Sequence, residues 1–288
     1  MITAVINSEK IKNVKAYLPK RRVAIMKKFL IIPDRSKISE SLEAAEKYGL
    51  GFEYNEFFMP DILDSEEECG EIINMYSRLK LPEYCTLHGA FFDVTVFSPD
   101  EKIRHISDLR VRQSISAAER IGARAVVFHT NYNPFLNSEK YVDSWIEQNT
   151  EYWGKILREY SGINIYFENM FDNSPDVMRR LAERLCAYGN FGLCLDYAHA
   201  SLTKAPCEIW AEKLGKYVRH MHINDNDLIG DLHLAVGDGK IDWKKFYGIY
   251  EKYMNEPTIL IETPTLENQM RSVKKLIDDG FMEYKGCI

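Results

Sequence analysis

The chain has 288 residues, 37 basic and 43 acidic side chains, and a net charge of −6 with His neutral. Its 45% hydrophobic and 12% aromatic content excludes a chain that stays unfolded. No apolar run approaches the roughly 20 residues of a bilayer span, so no membrane partner is expected. The acidic balance tilts against a nucleic-acid partner without excluding a local basic patch.

Residues 1–25 carry a basic knot (Lys15, Lys20, Arg21, Arg22), no clean apolar period and no signal-peptide core. They read as an N-terminal extension without assigned function. Residues 26–288 read as one domain. Cys69, Cys85, Cys186, Cys194, Cys207 and Cys287 form no C-x-x-C pair. Free buried thiols in a reduced, cytoplasmic protein are expected.

Short apolar runs then alternate with amphipathic stretches. The runs fall at 29–32, 51–55, 85–88, 125–129, 163–168, 192–196, 218–223 and 258–262. Their length and their Val, Ile, Phe and Tyr content predict buried strands. Between them, residues 36–48 predict a helix with Ile38, Leu42 and Ala45 inward and Ser36 or Ser39 as N-cap. Residues 100–121 predict another, with Ile103, Ile106, Leu109, Val111, Ile115 and Ala118 at helical spacing. Ser174, Pro175 and Asp176 read as a helix start, while Gly49 and Gly122 read as helix ends. Eight strand–helix units predict an α/β fold, a closed (β/α)8 TIM barrel. An open doubly wound sheet would carry a Gly-rich phosphate loop, and none is present.

Six consecutive runs end on metal-ligand residue types: His88, His129, Glu168, Asp196 with His199 three residues on, His222, and Glu262. The loop after the seventh run adds Asp231 and His233. Period-two alternation turns Glu168, Tyr166, Asp196 and Cys194 inward, and Phe167, Ile165, Leu195 and Leu193 toward the helices. Barrel active sites lie at the C-terminal strand ends, so these groups would meet at one mouth. Converging carboxylates repel and are costly to desolvate unless divalent cations neutralise them. Mixed His and carboxylate ligation suits zinc, manganese, cobalt or ferrous iron better than calcium. His105 reads as a surface residue, and His220, one layer below His222, as a core residue, with a partner behind the ligands as its alternative.

The segments L-H-G-A-F-F (87–92), L-D-Y-A-H (195–199) and H-I-N-D…D-L-H-L-A-V-G-D-G (222–239) resemble the xylose isomerase-like TIM-barrel superfamily. The resemblance runs over about residues 26–283. That group holds sugar and sugar-phosphate isomerases and epimerases together with endonuclease IV-type apurinic endonucleases. In the first branch the resemblance implies one metal held by Glu168, Asp196, His222 and Glu262. Glu168 and Glu262 would then be the proton-transfer pair, with His199 steadying the enediolate. In the second branch it implies three zinc ions on His88, His129, Glu168, Asp196, His199, His222, Asp231, His233 and Glu262. One to three divalent ions (zinc, manganese or cobalt) are therefore expected.

Ligand number favours the phosphodiesterase branch. The loops favour a small carbohydrate-like substrate over nucleic acid, because the stretch after the second run is acidic (Asp61, Asp64, Glu66, Glu67, Glu68). Phe57, Phe58, Phe91 and Phe92 could wall a small pocket or simply pack. Asn224 and Asp225 could support a ligand imidazole, and Glu53 could sit behind the site or end a solvated strand. Gly237 and Gly239 are expected to shape the loop after His233, and Trp243 to be core. An isomerase or epimerase is the reading these features favour, and an oligomer is possible.

Overall fold

A computed structural model of the chain describes residues 28–284, so the expected extension and Cys287 lie outside the described residues. Eight parallel strands close in sequence order into a barrel. They are β1 (Phe29–Ile31), β2 (Gly51–Tyr54), β3 (Cys85–His88), β4 (Ala125–His129), β5 (Asn164–Glu168), β6 (Phe191–Asp196), β7 (Val218–Ile223) and β8 (Thr258–Ile261). Closure is made where β1 pairs with β8, Leu30 opposite Leu260.

The helices in chain order are α1 (Ile38–Tyr48), α2 (Pro60–Asp64), α3 (Glu66–Ser77), α4 (Glu101–Ile121), α5 (Glu139–Glu159), α6 (Asp176–Leu185), α7 (Tyr197–Ser201), α8 (Cys207–Leu214), α9 (Trp243–Tyr253) and α10 (Leu266–Asp278). None is long and apolar enough to cross a membrane. One large apolar cluster joins the outward strand residues (Ile165, Phe167, Leu193, Leu195, Ile259, Ile261) to the helices. Tyr166 and Cys194 fall in a separate cluster inside the barrel with Ala125 and Val127. The two clusters are the two faces of period-two alternation. The five described cysteines are unpaired, and Cys69, Cys85 and Cys194 are buried.

Several local expectations are corrected. Neither Ser36 nor Ser39 caps α1; a short 3-10 turn (Arg35–Lys37) precedes it, and Asp34 accepts from the Ser36 backbone N–H. Ser174 makes no cap, because Pro175 already takes the helical φ and ψ ahead of α6. On α4, Val111, Ile115 and Ala118 are buried, but Ile103, Ile106 and Leu109 remain about 40% exposed. In the first half of this 21-residue helix only Ser107 is buried. Gly49 and Gly122 end α1 and α4 as expected, with φ of 66° and 77°.

Candidate metal centre

All nine side chains expected at the mouth are brought together, in three groups. Within each group one ligand atom per residue lies within 4.8 Å of the others. Glu168, Asp196, His222 and Glu262, from four successive strand ends, form the central group. His222 Nδ1 lies 3.2 Å from Glu168 Oε2 and 3.4 Å from Glu262 Oε2. His88 and His129 form a second group with the same Glu168. Their Nε2 atoms face each other at 3.2 Å and stand 3.6 and 3.5 Å from Glu168 Oε2. His199, Asp231 and His233 form the third, with both Nε2 atoms directed at Asp231 Oδ2, at 3.2 and 3.0 Å.

Local sequence explains how the ligands arrive there. Asp196 ends β6 and caps α7, its Oδ1 accepting from the His199 N–H at 2.6 Å. The three-residue spacing therefore sets both side chains at the mouth. His233 has φ of 46°, an uncommon conformation for a non-glycine residue and one that recurs at functional sites.

Burial and charge act together here. Burial opposes ionisation of Glu168, yet His222 and His129 hold its carboxyl well below the usual range. Burial pushes Asp196 up to about 7 against the pull of His199, helped by Glu262 and Glu168. His233 is raised to about 9 despite burial, through Asp231 and Glu262. His222 and His199 are raised well above the ordinary imidazole value; burial opposes this, and neighbouring acidic groups overcome it. Burial lowers His129. Without cations, protons thus hold the cluster together.

The donor set fits metal ions. Glu168 Oε2, Asp196 Oδ2, His222 Nδ1 and Glu262 Oε2 are all buried without a hydrogen-bond partner. Such orphans are rare and costly unless a ligand satisfies them. Two imidazole nitrogens facing each other beside a carboxylate likewise suit a shared cation.

Above the groups lies a cavity of about 170 Å³, lined by ligands and by Asn55, Phe58, Phe91 and Met170. The four phenylalanines divide. Phe58 and Phe91 form the pocket wall, with Phe91 stacked 4.5 Å from the His129 ring. Phe57 is core and Phe92 is 55% exposed. The acidic stretch after β2 is exposed and only partly paired. Asp64 pairs with Arg110, Glu66 with Arg120 at 3.1 Å, and Glu66, Glu67 and Glu68 occupy the first turn of α3.

Asn224 and Asp225 correct another expectation, because neither is shown supporting a ligand imidazole. Asp225 instead organises the loop that carries Asp231 and His233. It accepts from Gly237 N at 2.8 Å, Ile241 N at 3.1 Å and Trp243 Nε1 at 2.8 Å. Gly237 has φ of 92°, and Trp243 is buried as expected. At Gly239 a Cβ would lie 2.3 Å from both Asn226 O and Asp225 Oδ1. Gly239→Ala should cost about 2 kcal/mol and displace His233. A fall in bound metal, read by elemental analysis, is the expected result. Unchanged metal content would show that this loop does not place the third group.

Sequence reasoning missed Asn55 and Met170 in the cavity wall. It also left Glu53 open and preferred a core role for His220 over that of a partner behind the ligands. Both prove to be buried, 3.1 Å apart, directly beneath His222. The inward phase of Glu53 on β2 was the available signal.

Fold and site together define a (β/α)8 barrel with clustered metal-ligand side chains at its C-terminal mouth. The profile of the xylose isomerase-like TIM barrel matches residues 42–280, and the chain belongs to that family. Protein MJ1311 of Methanocaldococcus jannaschii is 27% identical over 197 residues, covering 65% of this chain and 66% of that protein. Fructoselysine 3-epimerase of Shigella flexneri is 24% identical over 194 residues, covering 56% and 64%. The chain thus spans just under two thirds of the length of these relatives. Among solved structures, the TTHB071 protein of Thermus thermophilus, soaked with zinc chloride, superposes with a TM-score of 0.70 at 22% identity, covering 88% and 97% of the two chains. Endonuclease IV of the same organism gives 0.59 at 18% identity, covering 87% and 97%.

Proposed function

We propose that this chain is a multi-metal hydrolase of a small phosphate ester. One observation carries the reading: three ligand groups, two of them sharing Glu168, converge on one cavity. Proton transfer beside a carbonyl needs one cation and leaves the second and third groups without a task. Phosphoester displacement uses several, on the entering oxygen, the leaving oxygen and the charged phosphoryl oxygens between them.

When bound, divalent ions would supply Lewis acidity toward the phosphate and lower the pKa of a water molecule. The chain's own residues do the rest. Glu168 ties two ligand groups to a common position. Phe58 and Phe91 exclude water from one side of the cavity. Arg110 and Arg120 offset two of the five loop acids, Asp64 and Glu66. The cavity, about 170 Å³, suits a small ester.

The isomerase or epimerase is the second reading, favoured by Glu168 and Glu262 flanking His222 within the central group. There the two glutamates would exchange a proton with the carbon beside a polarised carbonyl, and His199 would orient a hydroxyl. The relative that acts on fructoselysine supports this alternative. Metal-loaded protein should hydrolyse bis(p-nitrophenyl) phosphate or p-nitrophenyl phosphate in a metal-dependent way. An abasic-site duplex and a ketose panel in heavy water belong in the same assay. Deuterium entering a ketose, with no phosphate ester or duplex cleaved, would establish the second reading and overturn the first.

A further inference from the structure

We propose that Glu53, on a strand that carries no ligand of its own, is the positioning residue that aims His222 Nδ1 into the central metal group. The other imidazoles set the contrast. His88 Nδ1 lies 3.0 Å from Gly89 O, His199 Nδ1 2.8 Å from Asn169 O, and His233 Nδ1 3.0 Å from Glu262 O. A carbonyl oxygen only accepts, so in each neutral ring Nδ1 carries the hydrogen and Nε2 offers its lone pair.

His222 is reversed. Its Nδ1 faces Glu168 and Glu262, and its Nε2 stands 3.1 Å from Glu53 Oε1. An ionised carboxylate also only accepts. Neither Nε2 nor Oε1 has a hydrogen-bond partner elsewhere, so a hydrogen placed on Nε2 meets this carboxylate and leaves the lone pair on Nδ1, the atom that faces the other ligands.

Glu53 is itself held. Thr86 Oγ1 donates to its Oε2 at 2.6 Å, and His220 Nε2 lies 3.1 Å from the same oxygen. His220 Nδ1 in turn lies 2.6 Å from Thr258 Oγ1. Glu53, Thr86, His220 and His222 are all fully buried. A carboxylate so placed, with no Lys or Arg among these partners, is a costly way to fill a core. A cation on the far side of the His222 ring accounts for it, since carboxylates behind ligand imidazoles fix ring orientation and raise ligand basicity. This role concerns the metal alone and holds for either reaction.

The test is titration of metal-free protein with cobalt(II), followed by its absorption bands. Glu53→Gln should weaken one binding step by about 10- to 100-fold and leave the remaining steps unchanged. Glu53→Asp, which keeps the acceptor charge, should recover part of the loss. Affinity within about threefold of the parent at every step for Glu53→Gln would overturn the proposal. Nitrogen-15 NMR of zinc-loaded parent protein decides the matter even if the variant fails to fold. A hydrogen on His222 Nε2 with the metal on Nδ1 is expected, and a hydrogen on Nδ1 would overturn the assignment.

Discussion

Glu168→Gln should abolish turnover, with a loss of at least roughly 10³-fold, while the barrel stays folded. Glu168 joins the central group to the group of His88 and His129. Gln keeps its shape but removes the charge that balances His88, His129 and His222. Bound metal should fall, because both groups that contain Glu168 lose a ligand while His199, Asp231 and His233 are untouched. Elemental analysis beside a circular dichroism melt checks both halves. Glu262→Gln then separates the chemistries. In the proton-transfer reading it is as damaging as Glu168→Gln, since both members of the pair are needed. In the hydrolase reading it removes one of four ligands and should be milder. Full activity in both variants would refute both readings.

Metal should stabilise the fold strongly, and increasingly so as pH rises. Metal-free protein should behave in the opposite way. Asp196, raised from 3.8 to about 7, contributes stability that is lost as pH rises across that interval. His233, raised from 6.5 to about 9, contributes stability present below 6.5 and lost toward 9, discounted because its side chain is 33% exposed. His88, His199 and His222 are shifted in the same direction, against burial, by neighbouring acidic groups. Burial shifts His129 and His220 the other way, so these two gain stability as pH rises toward 6.5. The depressed carboxyls of Glu53, Glu168 and Glu262 lose their contribution only as pH falls below their ordinary value of 4.5. Between about pH 6.5 and 9 the metal-free Tm should therefore fall. Metal binding displaces these protons and strengthens over the same interval. At a thousandfold excess over Kd, a bound ion stabilises by about 4 kcal/mol, or about 10 °C for a domain of this size. Melting curves with and without chelator at pH 6.5 and 9 measure the gap. A gap that narrows toward high pH would contradict the linkage.

The barrel and its mouth were legible because both depend on short-range pattern. Strand ends such as V-V-F-H and I-Y-F-E show period two directly, and the ligand lies on the inward phase. Asp196 and His199 are joined by a helix cap, again a local device. What escaped was non-local. Glu53 and His220 are 167 residues apart and meet only because β2 and β7 face one barrel interior. The pairing of Asp64 and Glu66 with Arg110 and Arg120 on α4 is likewise non-local. Asp225 was placed near the right loop but given the wrong task, because its N–H donors come from residues 12 and 16 positions downstream. Ile103, Ile106 and Leu109 fit helical spacing, which reports a face but not whether anything packs on it.

The commitment of Asp196 Oδ1 to the His199 N–H has one more consequence. One lone pair of Oδ1 is taken by the helix start, and Oδ2 is the oxygen left without any partner. The central group has an imidazole nitrogen in it. Large ions that call for six to eight oxygens are poorly served there, and small, nitrogen-tolerant ions gain by comparison. The bond that starts a five-residue helix thus fixes which oxygen of Asp196 stays unpartnered at the mouth.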